Sequence, residues 1–113
     1  MVRKYNDYID DILKECSYLI NRSKDISFNE LLSNDDIQRA FVRSLEIIGE
    51  AVKKIPADIL DSAPEIDWHA VAGMRNILIH EYFGVDYKVI WETIQKDVPQ
   101  LHSAITKIKA NLK

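Results

Sequence analysis

The residues best suited to chemistry lie in one short run, Gly73-Met74-Arg75-Asn76-Ile77-Leu78-Ile79-His80-Glu81-Tyr82-Phe83-Gly84. A histidine titrates near neutral pH, so His80 suits proton transfer. The guanidinium fork of Arg75 suits developing charge on phosphoryl oxygens. Asn76 is placed to hold an oxygen or to orient the His80 ring. Tyr82 can donate a hydrogen bond to the same group as Arg75. On a helical wheel of ~100° per residue with Arg75 at zero, Val71, Met74, Ile77 and Leu78 fall between roughly 200° and 320°, an ordinary core face. Trp68, Ile79 and Tyr82 fall within about 40° of Arg75 by the same geometry. Arg75 therefore projects beside an apolar strip, where a charge is costly unless it is paired or reaches a cleft.

A second strip, between roughly 100° and 160°, holds His69, Gly73, Asn76 and His80. Gly73 leaves a gap there that a backbone, a partner chain or a ligand could enter. Arg75 and His80 differ by roughly 140° and ~7.5 Å of rise. One ideal helix does not point both at the same atom. A shared site needs long side-chain reach, helix distortion or a second copy of the chain. The alternative is structural. Arg75 pairs with Glu46 or Glu50, and His80 is a hydrogen-bonded histidine at the negative end of its helix.

The elements that must position this run are helices. Tyr5, Tyr8, Ile9, Ile12, Leu13, Cys16, Leu19 and Ile20 follow a 3.6-residue period and predict a first helix over 4–21. Asn21 to Asp25 breaks the pattern. Ser27 and Glu30 have capping-box spacing before a short turn at Phe28, Leu31 and Leu32. Ser33 is a second candidate cap, with Asp36 three residues on. A second long helix over 35–54 carries Ile37, Ala40, Phe41, Leu45, Ile48, Ala51, Val52 and Ile55, and Pro56 ends it. Gly49 inside it suggests a close helix crossing. A connector with a turn near Asp58 leads to Asp67, which caps the third helix, Trp68 to about Phe83, with Gly84 as its stop. Asp86 caps a fourth helix. Asp97-Val98-Pro99 reads as a cap and an early-turn proline, hence a kink or restart before a last helix. Short connections make successive helices antiparallel neighbours. The expected fold is all-α, an up-and-down bundle of four to five helices forming one domain over 1–113.

Composition narrows the function. Fifteen Lys and Arg against eighteen Asp and Glu leave a net charge of −3, which excludes a general basic coat but not a local patch. Arg39, Arg43, Lys53 and Lys54 on the second long helix could form such a patch and contact a nucleic acid, with a solvated helix face as the plain alternative. Cys16 is the lone cysteine, so no internal disulfide forms, and its place in an apolar stripe predicts a buried thiol. His69, His80 and His102 offer no metal constellation, and no metal or cofactor is expected. The chain lacks a secretory h-region and a membrane-length apolar run, so a cytoplasmic protein without membrane attachment is expected.

The Arg75 to Tyr82 run resembles the Arg-X4-6-His signature of HEPN domains in its Arg-Asn-X3-His-X-Tyr form. The chain resembles HepT-type proteins in particular, toxin partners of MntA-type nucleotidyltransferase antitoxins. Gln38 to Ala51 and Val89 to Ile94 agree, so the resemblance covers nearly the whole chain. It implies a HEPN-like helical bundle that forms a homodimer, with the Arg and His motifs of two chains close together at the dimer cleft. It implies a metal-independent ribonuclease acting on RNA, plausibly tRNA, with Arg75 and His80 catalytic and Asn76 and Tyr82 supporting. It also implies that the antitoxin adds AMP to Tyr82. RNA brings its own nucleophile, the 2′-hydroxyl, so the expected products are a 2′,3′-cyclic phosphate and a 5′-hydroxyl. The competing reading is a catalytically silent helical dimer or interaction module that binds the nucleotidyltransferase.

Overall fold

The computed structural model describes residues 4–80 and 86–112, and of residues 75–80 only the backbone. The chain folds as α1 (Tyr5–Lys24), α2 (Phe28–Ser33), α3 (Asp35–Lys53), α4 (Ala57–Leu60), α5 (Trp68–His80), α6 (Tyr87–Glu92), a π-helical turn (Thr93–Asp97) and α7 (Val98–Asn111). No strand occurs among the described residues. The run from α6 through the π turn to α7 is continuous, so four long helical stretches make the bundle and α2 and α4 are short accessories. This is the all-α helical fold that the periodicity predicts.

The helix ends are set by local chemistry. Ser27 caps α2, its hydroxyl accepting the Glu30 amide at 3.1 Å. The cap of α3 is Asn34 and not Ser33. Its side-chain oxygen accepts the Ile37 amide at 3.1 Å. Ser33 instead closes α2 and donates back to the Asn29 carbonyl at 3.0 Å. Gln38 then ties the two helices by donating to the Leu31 and Leu32 carbonyls at 2.9 and 3.1 Å.

Two further boundaries differ from expectation. The first helix does not stop at Asn21 but runs on to Lys24. Buried Ser23 donates to the Ile20 carbonyl at 3.2 Å, and Arg22 and Lys24 sit at the negative helix end, where cations are favoured. Asp97 makes no side-chain cap and keeps helical dihedrals. The break before Pro99 is taken up as a π turn, in which the Val98 amide donates to the Thr93 carbonyl. Proline has no amide hydrogen and its ring crowds the preceding turn, so one extra residue in the turn relieves the clash.

α3 is the centre of the bundle. It packs against α1 on one side and α5 on the other, and α1 also packs against α7. Ile9, Ile12, Cys16 and Leu19 of α1 meet Phe41, Leu45 and Ile48 of α3 and Ile94, Leu101 and Ile105 beyond them, all nearly inaccessible to water. Tyr18 meets the Phe41 ring edge-on, with centroids 6.2 Å apart. Polar bonds cross the same seams. Ser44 donates to Glu15 at 2.8 Å between α3 and α1, and Lys109 pairs with Asp10 at 2.8 Å between α7 and α1. No helix of the described residues is long and apolar enough to cross a membrane.

Candidate functional site

α5 carries the candidate residues Gly73 to His80. Asp67 starts it as expected, its carboxylate accepting the Ala70 amide at 3.0 Å. The Trp68 indole N–H donates to the Ala63 carbonyl at 3.1 Å and anchors the entry to the helix. Trp68, Val71, Ala72 and Met74 are half-buried and pack on the core, while His69 and Ala70 are exposed. None of the α5 side chains over 68–74 is fully buried, although most are apolar. Among the described residues, no atom lies within 4 Å of where a Cβ on Gly73 would sit, so the gap expected at this glycine is open on that side.

The helix is unbroken from Trp68 to His80, so Arg75, Asn76 and His80 share one element. The axial rise between Arg75 and His80 is ~7.5 Å on regular helix geometry. Tyr82 and the expected helix end at Phe83 and Gly84 lie outside the described residues. Glu46, one of the two carboxylates considered as a partner for Arg75, lies 3.5 Å from Arg43.

Two clefts flank α3. The first, about 600 Å³, lies between α1 and α3. Arg43, Lys53 and Lys54 line it, joined across the gap by Lys14 of α1. Arg39 does not line it, although it is exposed on the same helix. Three of the four basic residues expected to contact RNA are thus gathered in one place. Lys14 was not among those candidates. On the wheel of α1 it falls on the solvent side, and only the packing of α1 against α3 turns it toward the cleft.

The second cleft, about 300 Å³, lies between α3, α5, the π turn and α7. Leu45, Ile48, Val71, Met74 and Leu101 form apolar walls, and Glu65, Asp67 and Asp97 are the charged groups that line it among the described residues.

Other candidate groups are structural. Cys16 is fully buried, and desolvation, helped by the nearby Glu15 charge, pushes its thiol up to about 12. It stays protonated at neutral pH and is no nucleophile. His102 Nε2 lies 3.3 Å from the Ser17 hydroxyl, a link between α7 and α1. Among the described residues, no group of three His, Cys, Asp or Glu could hold a metal ion.

Comparison with known proteins assigns the chain. A family model described as ribonuclease HepT-like matches residues 6–108. A protein named as a putative RNase from Caldanaerobacter subterraneus is 50% identical over 101 residues, covering 89% of this chain and 90% of the relative. Another so named, from Methanocaldococcus jannaschii, is 44% identical over 110 residues, covering 97% and 95%. A protein named probable ribonuclease HepT from Thermococcus cleftensis is 41% identical over 109 residues, covering 96% and 99%. No solved structure matches. With a family match over residues 6–108 and nearly its full length aligned to these relatives, the chain belongs to the ribonuclease HepT-like family.

Proposed function

We propose that this ribonuclease is a metal-independent endonuclease of a toxin–antitoxin pair, with Arg75 and His80 as its catalytic residues. The observation that carries the reading is the placement of both residues on one continuous helix, α5, whose described half is apolar yet nowhere fully buried. His80 takes the proton from the RNA 2′-hydroxyl. The 2′-oxygen forms a bond to phosphorus, and the bond from phosphorus to the 5′-oxygen breaks. His80 of the partner subunit protonates the leaving 5′-oxygen. Arg75 stabilises charge on the phosphoryl oxygens, Asn76 holds an oxygen or orients the imidazole, and Tyr82 donates to the same group. A 2′,3′-cyclic phosphate and a 5′-hydroxyl result.

A homodimer resolves the angular mismatch between Arg75 and His80, because each site then draws on two chains. The open space at Gly73 and the incompletely covered α5 supply a face for that contact. Transfer of AMP to Tyr82 by an MntA-type nucleotidyltransferase adds bulk and negative charge beside Arg75 and excludes the RNA phosphate. Arg43, Lys53 and Lys54, three of the four basic candidates, contact the substrate, for which tRNA is the leading candidate.

The test is cleavage of a total tRNA pool in excess EDTA, using protein shown by mass spectrometry to carry no AMP. Wild type should cut and leave cyclic-phosphate ends, and His80→Ala should be at least about a hundredfold slower. Equal cutting by both removes His80 from the mechanism. No cutting by either favours a silent interaction module.

A further inference from the structure

We propose that the cleft between α1 and α3 is a two-walled groove for the phosphodiester chain of RNA, in which Lys14 of α1 acts opposite Arg43, Lys53 and Lys54 of α3. The identity of the polyanion rests on the ribonuclease reading above, whereas the groove itself rests on the packing of two helices. A row of cations on one helix face is ordinarily just a solvated surface. A fourth cation delivered from a different helix into the same cleft is a different arrangement, because an anion between the walls meets positive charge from both sides.

The state of these side chains favours an anion. Lys14, Lys53 and Lys54 are exposed and make no ion pair among the described residues. Arg43 is 64% exposed in its side chain, and its 3.5 Å pair with Glu46 is a surface contact that a phosphate can replace. The Glu15 carboxylate, which also lines the cleft, accepts the Ser44 hydroxyl at 2.8 Å. From Arg43 to Lys54 the axis of α3 advances ~16 Å. Cations spread over that length form a track, which suits successive phosphates better than one compact anion. Asp11, Glu15 and Glu50 temper the field, so binding should be modest and strongly salt-dependent.

The second cleft makes the contrast. Among the described residues no Lys or Arg lines it and three carboxylates do, so those groups repel a phosphate chain. Arg39 lies outside the lining of the first cleft despite its exposure. The groove therefore assigns a role to Lys14 and withholds one from Arg39.

The experiment is fluorescence anisotropy of the full-length wild-type protein with a short, labelled, single-stranded 2′-O-methyl RNA, which lacks the nucleophile and is not consumed. Lys14→Ala should weaken binding about threefold to fivefold and lower the salt slope by about one. Arg39→Ala, and Lys107→Ala on α7 as a control of equal charge change, should each stay within about twofold. Lys14→Arg should restore affinity, and unchanged thermal melting of Lys14→Ala excludes a folding defect. If Lys14→Ala matches Lys107→Ala, or if Arg39→Ala is the weaker binder, the groove is wrong while the ribonuclease reading stands. If wild type binds this RNA yet cuts no unmodified RNA, the groove stands and the nuclease reading falls. Absence of any binding overturns both.

Discussion

The two clefts beside α3 are built from the same helix and differ in what faces it. On one side α1 presents a polar edge, and its Lys14 shares a cleft with Arg43, Lys53 and Lys54, with Asp11, Glu15 and Glu50 also in the lining. On the other side α5, the π turn and α7 present aliphatic side chains, and carboxylates from the α5 entry and the π turn collect nearby. The wheel of α3 accounts for its own contribution to each cleft. The difference comes from the neighbour. A helix surface acquires its electrostatic character only when another element closes over it, because field and desolvation depend on both walls.

The largest expected effect breaks both clefts together. Phe41 is fully buried on α3 and holds the Tyr18 ring of α1 edge-on. Phe41→Ala should cost about 3–5 kcal/mol of stability, read from the urea midpoint with an unchanged slope, and should loosen α1 from α3. A loss below about 1 kcal/mol would mean that α3 is not the shared support of both clefts.

A smaller effect tests the wall between α1 and the core. Cys16 is fully buried on α1 beside Glu15, which lines the basic cleft, and its thiol is raised from 9.0 to about 12. A raised acid holds its proton in the folded state while the unfolded chain releases it. Stability is therefore intact below pH 9 and falls as pH rises from there toward about 12. The decline contributed by this group approaches ~1.4 kcal/mol per pH unit. Urea unfolding of wild type and Cys16→Ala between about pH 9 and 11 should show a shallower decline in the variant. Parallel declines would mean that water reaches the thiol and that the α1 wall is looser than described.

The smallest effect sharpens the electrostatic contrast. Removing two of the three carboxylates of the second cleft with Glu65→Gln and Asp97→Asn should leave RNA affinity within about twofold in the anisotropy assay, since those carboxylates sit away from the cationic track. A tenfold gain would show that the two clefts share one RNA path.

Much of this molecule was legible from single helices. Apolar periodicity located α1, α3 and α5, and the Ser27, Asp67 and Asp86 caps stand where their spacing placed them. Errors arose where two nearby groups competed for the same task. Ser33 and Asn34 are adjacent, and backbone geometry, which a residue list does not contain, gave the cap to Asn34. Asn21 to Asp25 looks like a loop by composition, yet tertiary burial of Ser23 kept the helix going. At Asp97 a cap with a kink or restart was expected; the chain makes the irregularity as a π turn, and Asp97 supplies no side-chain cap.

The sequence by itself determined the all-α class, the helix that carries Arg75, Asn76 and His80, and the burial of Cys16. These follow from local periodicity and from residue types along one axis. The tertiary structure alone decided that Lys14 joins Arg43, Lys53 and Lys54, that Arg39 does not, and that the carboxylates of the opposite cleft have no Lys or Arg beside them among the described lining residues. Those outcomes depend on the rotation and register of one helix against another. That relation is set by how side chains interlock across an interface, and no single helix's pattern contains it.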